Sequence, residues 1–370
     1  MILISTDLTF NATICNEESY LFKEILLNSK LGLVLKNLLT QVTSIFEIEN
    51  TDEDFNSALE GFRISYKKIA KALNSSSGNI IDDSNQLDIL YKEISRIGKE
   101  IFDIISENDE IGFLNDLFED QTNLIKKITI SSNQFFIPYE FLNRTGNANT
   151  EALLGIKYIF KRSYPKFETI IEKQSEIFKL IHISDPNLQF VNDIEIPFLN
   201  RLKRFTVKVT DVNNLEIQSK DELIQFLNNS DFQFLHFACH LNHNKDSYFH
   251  SYLKYKNIII TFTDLNDFDF VKGKIVFLNC CRSGISNINH SMNFTRKLLK
   301  KGAACIISVD MDVPDEFAAN FSTIFYTVLF KNKLNLNEAL YIASNFFLEK
   351  KNNIGGFFYS VYGDTNIYNN

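Results

Sequence analysis

Apolar and polar residues follow two different periods along the chain. In the first part, apolar residues recur three or four positions apart, which predicts amphipathic helices. The predicted helices cover 31–46, 55–73 and 87–105. A segment rich in Ser, Asn and Asp, 74–85, separates the second helix from the third. Residues 1–110 are therefore expected to form a small, mostly helical region that begins with a strand over 2–12.

From about residue 124 the pattern changes to short apolar runs separated by helical segments. The runs predict strands over 124–130, 155–160, 177–183, 205–209, 232–238, 274–278 and 304–309. Helices are predicted over 293–301 and 316–330, and another begins at a capping box formed by Ser219 and Glu222. Strands that alternate with helices form a largely parallel sheet covered on both faces. The expected fold class is therefore α/β for residues 111–370.

Two of the predicted strands end in residues with reactive side chains. Both strands are continuous apolar runs, which is typical of strands buried on both faces of a sheet. The strand over 274–278 leads to Cys280 and Cys281, and the strand over 232–238 leads to Cys239 and His240. Ligands of open α/β sheets bind at the carboxyl ends of the strands, so a thiol and an imidazole are expected at one edge. An insertion between the two strands is expected to contain a small hairpin.

Composition and charge exclude several classes of function. The chain has 370 residues, a net charge of -8 and no block of five basic residues, which argues against a nucleic-acid groove and a polybasic membrane patch. No apolar run approaches 18 residues, so no membrane span is expected. The five cysteines lack CxxC spacing, and the N-terminus lacks a basic segment followed by an apolar one. A reducing, cytoplasmic setting is the simplest expectation.

The order of several short motifs resembles the CHAT domain, a branch of the caspase-like cysteine peptidases of clan CD. The motifs are, in chain order, IPYEFL, LIHISDPN, FLHFACH, KIVFLNCCRSG, KKGAACIISVD, NEALYIA and FFYSVYGD. The resemblance implies a caspase-like α/β/α sandwich with a largely parallel central sheet, spanning 111–370. It also implies a catalytic dyad that cleaves peptide bonds, with His240 as the base and Cys281 as the nucleophile.

The chemistry of such a dyad agrees with these residue types. A free thiol is only a few per cent thiolate at neutral pH, and a neighbouring imidazole raises that fraction and later protonates the leaving amine. The backbone N–H groups of Cys281 and Leu241 are expected to bind the developing oxyanion. The family's histidine is usually followed by Gly, whereas this chain has Leu241, whose N–H can still donate.

The remaining cysteines and histidines have simpler interpretations. A buried cysteine at a strand end is usually a small apolar residue, and this is expected for Cys15, Cys239, Cys280 and Cys305. His236 is expected to be a hydrogen-bonded core residue, with a supporting role for His240 as the alternative. His243 and His250 are expected in solvent. The spacing of these groups matches no usual zinc pattern, so neither a metal nor a cofactor is expected.

Acidic residues after the strand over 304–309 bear on substrate choice. In caspase-like folds the loop at this place borders the pocket for P1, the residue before the cut. Asp310 and Asp312 would favour Arg or Lys there, because a buried cation needs a counter-charge. The alternatives are acids that face water and an apolar pocket that prefers Leu. Asp364, in the YGD motif, is expected to be structural.

The leading functional hypothesis is an endopeptidase that cleaves a protein substrate and is activated by a partner or ligand. The N-terminal helices would then serve as a regulatory or docking region. Two other classes stay open: a caspase-like interaction module without catalysis, and an esterase or amidase that uses the same dyad. The presence of both His240 and Cys281 favours catalysis.

Overall fold

The structure is a computed structural model of the chain. It describes residues 13–27, 30–49, 53–75, 84–119, 124–132, 137–146, 152–165, 167, 169–171, 177–242, 252–280, 288–310 and 313–368. The chain divides into two compact units. The N-terminal unit comprises Thr9–Ile69 and Ile81–Pro165, and the C-terminal unit comprises Met1–Leu8, Ala70–Ile80 and Lys166–Asn370.

The N-terminal unit combines a five-stranded mixed sheet with helices. Its elements are β1 (Thr13–Leu27), β2 (Lys30–Asn37), β3 (Thr43–Glu49), α1 (Glu53–Ser75), α2 (Ser84–Glu107), α3 (Phe113–Glu119), β4 (Leu124–Ser132), α4 (Leu154–Lys157) and β5 (Tyr158–Ser163). The strand order is β3-β2-β1-β4-β5. The pairs β3–β2 and β2–β1 are antiparallel, and β1–β4 and β4–β5 are parallel.

The predicted helices over 55–73 and 87–105 are confirmed as α1 and α2, but the helix predicted over 31–46 is wrong. This segment forms β2 and β3 instead. Leu31, Leu33 and Leu35 are all buried, which is the alternation of a strand with one face in the core. Leucines are so dense here that they satisfy a helical spacing as well, and pairing with β1 decides between the two. The strand predicted over 2–12 lies outside the described residues.

The C-terminal unit has a six-stranded sheet and a small hairpin insertion. Its elements are β6 (Phe178–Ser184), α5 (Ile196–Leu199), β7 (Val207–Asp211), α6 (Lys220–Asn229), β8 (Phe234–Ala238), β9 (His240–Asn242), β10 (Tyr252–Tyr255), β11 (Ile258–Thr261), β12 (Ile275–Leu278), α7 (Ile288–Lys300), β13 (Cys305–Val309), α8 (Asp315–Asn332), α9 (Leu336–Lys351) and β14 (Tyr359–Gly363). The main sheet has the order β14-β13-β12-β8-β6-β7, and only β14 runs antiparallel to its neighbour. The predicted α/β class with a largely parallel sheet is confirmed.

The order of the strands places helices on both faces of this sheet. The chain moves outward from β6 to β7, and then in the opposite direction through β8, β12 and β13. Because crossovers between parallel strands are right-handed, connections in opposite directions lie on opposite faces. The π-helical segment Val191–Glu195 and α5, which continues it, therefore cover one face, and α6 and α7 cover the other. The helix α8 contacts Val191–Glu195 and so covers the first face.

Local sequence accounts for these helices. Ser219 caps α6, since its hydroxyl accepts a hydrogen bond from the N–H of Glu222 at 3.2 Å. The helix α8 is buried from Phe317 to Phe330, which agrees with its apolar residues on every side. Its aromatic rings pack on the sheet, where Phe277 of β12 contacts Phe325 and Tyr326.

The predicted hairpin is also present. The strands β9, β10 and β11 form a separate antiparallel sheet, in which β10 is central. None of the described helices is long and apolar enough to cross a membrane.

Candidate active site

His240 lies two residues beyond the carboxyl end of β8. The strand β8 is fully buried and ends at Ala238, and His240 opens β9 of the small sheet. Its side chain is partly exposed, which leaves the imidazole accessible at the sheet edge. The position therefore agrees with the expectation that strand β8 delivers an imidazole to this edge.

Leu241, the residue that replaces the family's usual Gly, occupies a regular strand position. It pairs with Leu253 of β10, and its side chain is 5% exposed. Leu241 is not among the residues with positive φ, so its backbone has no need of the conformational freedom of Gly. Here the leucine side chain anchors the segment that follows His240 in the core of the hairpin.

The strand β12, which leads to Cys281, lies directly beside β8. The two are parallel, and Leu278 is in register with Phe237. Consequently the chain leaves both strands at the same edge, with His240 three residues beyond Phe237 and Cys281 three residues beyond Leu278. Cys281 itself lies outside the described residues, which end at Cys280 in this segment.

Hydrogen bonds connect the carboxyl ends of the neighbouring strands β6, β8 and β12. The Asp185 N–H, after β6, donates to the carbonyl of Ala238 at 3.0 Å. The Cys239 thiol donates to the Ile183 carbonyl at 3.5 Å, and the Cys280 thiol donates to the Phe237 carbonyl at 3.8 Å. The edge that leads to the predicted dyad is therefore held together by side chains as well as by the sheet.

Two neighbouring cysteines are held in the thiol form. Cys239 and Cys280 are buried, and burial raises the pKa of Cys239 well above its usual range and that of Cys280 to about 12. A cysteine that stays protonated at neutral pH is a poor nucleophile, because the thiolate is the reactive form. Cys305 is buried as well, in β13. These three residues behave as the small apolar side chains that the sequence indicated.

The acidic candidates for substrate binding have different outcomes. Asp310 follows β13, and its carboxylate accepts hydrogen bonds from the Ser360 hydroxyl at 2.5 Å and the Tyr362 hydroxyl at 3.3 Å. Its side chain is partly exposed. Asp312 lies outside the described residues, as do His243 and His250.

Asp364 has a structural environment. Its carboxylate accepts hydrogen bonds from the N–H groups of Ile171 and Asn366, and its own N–H donates to the Ala304 carbonyl. These bonds connect β14 with the segment before β13 and with residue 171.

A buried polar cluster, composed of His182, Glu195 and His236, lies on the α8 face of the sheet. The two histidines are in register on the adjacent strands β6 and β8, and all three side chains are completely buried. The Oε1 atom of Glu195 lies 3.2 Å from Nε2 of His182 and 3.1 Å from Nε2 of His236. His236 also stacks on Phe277 of β12, with ring centroids 4.6 Å apart.

The two histidines of the cluster carry different charges. Burial alone lowers the pKa of His182, but its interactions with Asp211 and Glu195 outweigh burial and raise the pKa from 6.5 to about 9. Burial, together with the positive charge on His182, holds the pKa of His236 well below its usual range. The cluster therefore places a histidine whose charged form is favoured and one whose neutral form is favoured on either side of Glu195.

The neutral ring of His236 has an assigned tautomer. The Tyr326 hydroxyl lies 2.9 Å from its Nδ1 atom, and burial raises the pKa of Tyr326 well above its usual range. Nε2 lies 3.1 Å from Oε1 of Glu195, which favours the ring proton on Nε2 and leaves Nδ1 to accept a hydrogen bond from the Tyr326 hydroxyl.

Within the described part of the chain, the cluster is the set of residues that comes nearest to a metal site. Its ligand atoms all lie within 4.8 Å of one another. Structural zinc sites have four protein ligands, whereas this set has three. The arrangement is better described as a charge network than as a metal centre.

Asn279 extends this network to the end of β12. Its amide donates to the Ala318 carbonyl at 3.2 Å and to Oε2 of Glu195 at 3.5 Å, and its Oδ1 atom accepts a hydrogen bond from the Tyr359 hydroxyl at 2.9 Å. Sequence analysis missed Glu195, Asn279 and Tyr359. The available signal was a polar residue at the end of an otherwise apolar run, as with Asn279 after Leu278.

Comparisons with known proteins bear on the whole arrangement. A comparison with curated proteins found no match. Among solved structures, the chain is similar to the Saccharomyces cerevisiae separase in its complex with securin, with 12% identity and a TM-score of 0.43. That similarity covers 93% of this chain and 30% of the other. The family model of the CHAT domain matches residues 199–354, a range that includes both His240 and Cys281. The predicted resemblance to the CHAT domain is thereby confirmed over these residues.

Proposed function

We propose that the protein is a cysteine endopeptidase that cleaves a protein substrate through His240 and Cys281. The observation that carries the proposal is the adjacency of β8 and β12, whose carboxyl ends lead to these two residues. The burial of the Cys239 and Cys280 thiols supports it, because neither is available as a nucleophile at this edge. The CHAT domain match spans both proposed catalytic residues.

The proposed reaction divides peptide hydrolysis into two steps. His240 accepts the proton of Cys281, and the thiolate attacks the carbonyl carbon of the scissile bond. The backbone N–H groups of Leu241 and Cys281 stabilise the resulting oxyanion. The C–N bond then breaks as the imidazolium protonates the leaving amine, which produces an acyl-enzyme. Water, deprotonated by His240, then attacks the thioester, the C–S bond breaks to release the carboxylic acid end of the cleaved substrate, and the imidazolium returns its proton to the thiolate.

Regulation by a protein partner or ligand is part of the proposal, with the N-terminal region as a docking site.

The natural substrate is best sought by expressing the full chain beside the products of neighbouring open reading frames. The expected result is a fragment that appears with the wild-type chain and disappears in Cys281→Ala and His240→Ala. Cys280→Ala is the matched control, and we expect it to retain cleavage.

Labelling with iodoacetamide tests the same assignment without a substrate. Cys281 should react fastest, and His240→Ala should slow its reaction. Preferential labelling of Cys280 would contradict the choice of nucleophile.

For the substrate residue before the cut, we propose a basic side chain recognised by Asp310 and Asp312. Each carboxylate oxygen accepts more than one hydrogen bond, so Asp310 can bind a guanidinium while it keeps its bonds from Ser360 and Tyr362. A peptide library tests the idea. Cleavage after Leu or Phe that is unchanged in Asp310→Asn and Asp312→Asn would exclude an acidic pocket.

The second candidate is an interaction module without catalysis. The observation in its favour is Leu241, whose side chain is packed in a paired strand at the position where the family usually has Gly. On this alternative, Cys281→Ala would leave every cellular effect of the protein unchanged.

A further inference from the structure

Asn279 is a buried residue two positions before Cys281. It follows the end of β12 directly and is 1% exposed. Both ends of its side chain are engaged, since Nδ2 donates to Ala318 and Glu195 while Oδ1 accepts from Tyr359. The amide is therefore fixed in one orientation.

The three partners of Asn279 belong to three separate elements. Ala318 lies in α8, Tyr359 is the first residue of β14, and Glu195 is the last residue of the π-helical segment before α5. Tyr359 is itself held in place, because its ring stacks on Phe321 with centroids 3.9 Å apart and an interplanar angle of 11°. The end of β12 is thus attached to rigid neighbours on the α8 face of the sheet.

The side-chain hydrogen bonds of Asn279 lie where the backbone pairing of β12 with its neighbouring strands ends. Backbone pairing with β8 and β13 continues only to Leu278, so the segment that follows depends on side chains for its position. A nucleophile and its base must lie within hydrogen-bond reach of each other. A displacement of about 1 Å costs roughly a hundredfold in rate.

We propose that Asn279 is a positioning residue for the Cys281 thiol, and that Tyr359 acts through it. The inference rests on the proposed function, in which Cys281 is the nucleophile activated by His240. Asn279 does not touch the substrate. It fixes the chain two residues before the thiol, so that the thiol stays within reach of the imidazole.

A purely structural role for Asn279 makes a different prediction. In that case its amide only satisfies the Tyr359 hydroxyl and the Ala318 carbonyl in the core, and its loss lowers the melting temperature without a change at Cys281. A positioning role changes the reactivity of Cys281 in protein that is still fully folded.

The test measures the rate at which iodoacetamide alkylates Cys281, as a function of pH, in the full-length chain well below its melting temperature. Peptide mass spectrometry resolves each cysteine, and the buried Cys239, Cys280 and Cys305 report any loss of folding. The variants are Asn279→Ala, Tyr359→Phe and the double variant. Tyr368→Phe is the matched control, since it removes a hydroxyl that bonds to a different carbonyl, that of Leu329.

We expect Asn279→Ala to slow alkylation at pH 7 by about tenfold, because the thiol loses its activation by His240. Tyr359→Phe should slow it less, by about threefold. The double variant should be no slower than Asn279→Ala, because Tyr359 acts through the amide. Tyr359→Phe retains the shape of the core, so it tests the proposal even if Asn279→Ala does not fold.

Two results would overturn the inference, and they are distinguishable. If wild-type Cys281 reacts as an ordinary thiol and His240→Ala does not change its rate, the proposed dyad fails and the inference fails with it. If His240→Ala slows the reaction but the folded Asn279 and Tyr359 variants react like wild type, the dyad stands and Asn279 is only structural.

Discussion

Each of the two units contains a buried ionic group, and the two groups are built differently. In the N-terminal unit, Arg162 of β5 pairs with Glu140 through two bonds, Nη1 to Oε1 at 2.7 Å and Nη2 to Oε2 at 2.8 Å. In the C-terminal unit, His182 and His236 share the carboxylate of Glu195. The guanidinium keeps its charge at every accessible pH, whereas the charge of His182 depends on pH.

The groups also differ in what they connect. Glu140 lies in the short turn Tyr139–Phe141, so its bond to Arg162 fixes that turn on β5. The cluster around Glu195 connects β6 and β8 and, through Asn279, the end of β12. A buried ion pair can thus fix a turn on a strand, as in the N-terminal unit, or connect neighbouring strands near the candidate site, as in the C-terminal unit.

The largest expected effect is at the pair with the permanent charge. Arg162→Met leaves Glu140 buried without its partner, which should lower the free energy of unfolding by about 3–5 kcal/mol. Urea titration of the full chain measures this change. The double variant Arg162→Met, Glu140→Leu should recover most of the loss, because the buried charge is then gone as well. A double variant as unstable as the single one would contradict this explanation.

The next effect is the pH dependence of the histidine cluster. The pKa of His182 is raised from 6.5 to about 9 in the folded chain. The contribution of the protonated His182 to the free energy of unfolding is therefore complete below pH 6.5 and is lost as the pH rises through 9. The loss is at most about 3 kcal/mol, from 1.36 kcal/mol per unit of pKa shift. The titratable groups that face His182 are Glu195, Asp211 and His236.

Urea titrations between pH 6 and pH 9.5 measure this slope. His182→Gln should remove most of it, whereas Arg162→Met should keep it, because a guanidinium does not titrate in this range. A slope that is the same in wild type and His182→Gln would place the pH dependence elsewhere.

A smaller effect is expected at the hydroxyl that fixes the tautomer of His236. Tyr326→Phe removes the donor to Nδ1 and leaves a buried acceptor unpaired, which should cost about 1–3 kcal/mol. Thermal and urea unfolding measure the change. The comparison with Tyr368→Phe, whose hydroxyl bond is partly exposed and 3.4 Å long, separates burial from the mere loss of a hydroxyl. Equal costs in the two variants would argue against the buried contact.

The smallest effect is expected at an exposed ion pair, which serves as the reference for both buried groups. Lys68 lies 3.1 Å from Glu93, and the exposed fractions of the two side chains are 54% and 27%. Solvent screens such a pair, so Lys68→Met should lower the free energy of unfolding by about 0.2–1 kcal/mol. A cost as large as that of Arg162→Met would mean that burial is not what distinguishes the pairs.

Much of the fold could be predicted from local patterns. The strands that form the parallel part of the C-terminal sheet were predicted within a few residues, because a buried parallel strand is a continuous apolar run between turn residues. The segment 31–46 was predicted wrongly because its leucines satisfy both helical and strand spacing. Pairing with β1 resolves that ambiguity, and pairing is not a local property.

The candidate site was predicted in part for the same reason. His240 and Cys281 each follow an apolar run, so local sequence and the family resemblance were enough to select them. No local pattern, by contrast, predicts that Glu195, Asn279 and Tyr359 lie together. Their spacing along the chain is irregular, and only the sheet order makes them neighbours.

By itself, the sequence determined the parallel strands of the C-terminal unit and the resemblance to the CHAT domain, and it was enough to select the two residues proposed for catalysis, since these depend on short runs and motifs. Tertiary structure alone decided the surroundings of those residues. Tyr326 and His236 are 90 residues apart in the chain, and Asn279 and Glu195 are 84 apart. Contacts over such separations depend on which strands are adjacent and which helix covers them, and the charge of each buried histidine depends in turn on those contacts.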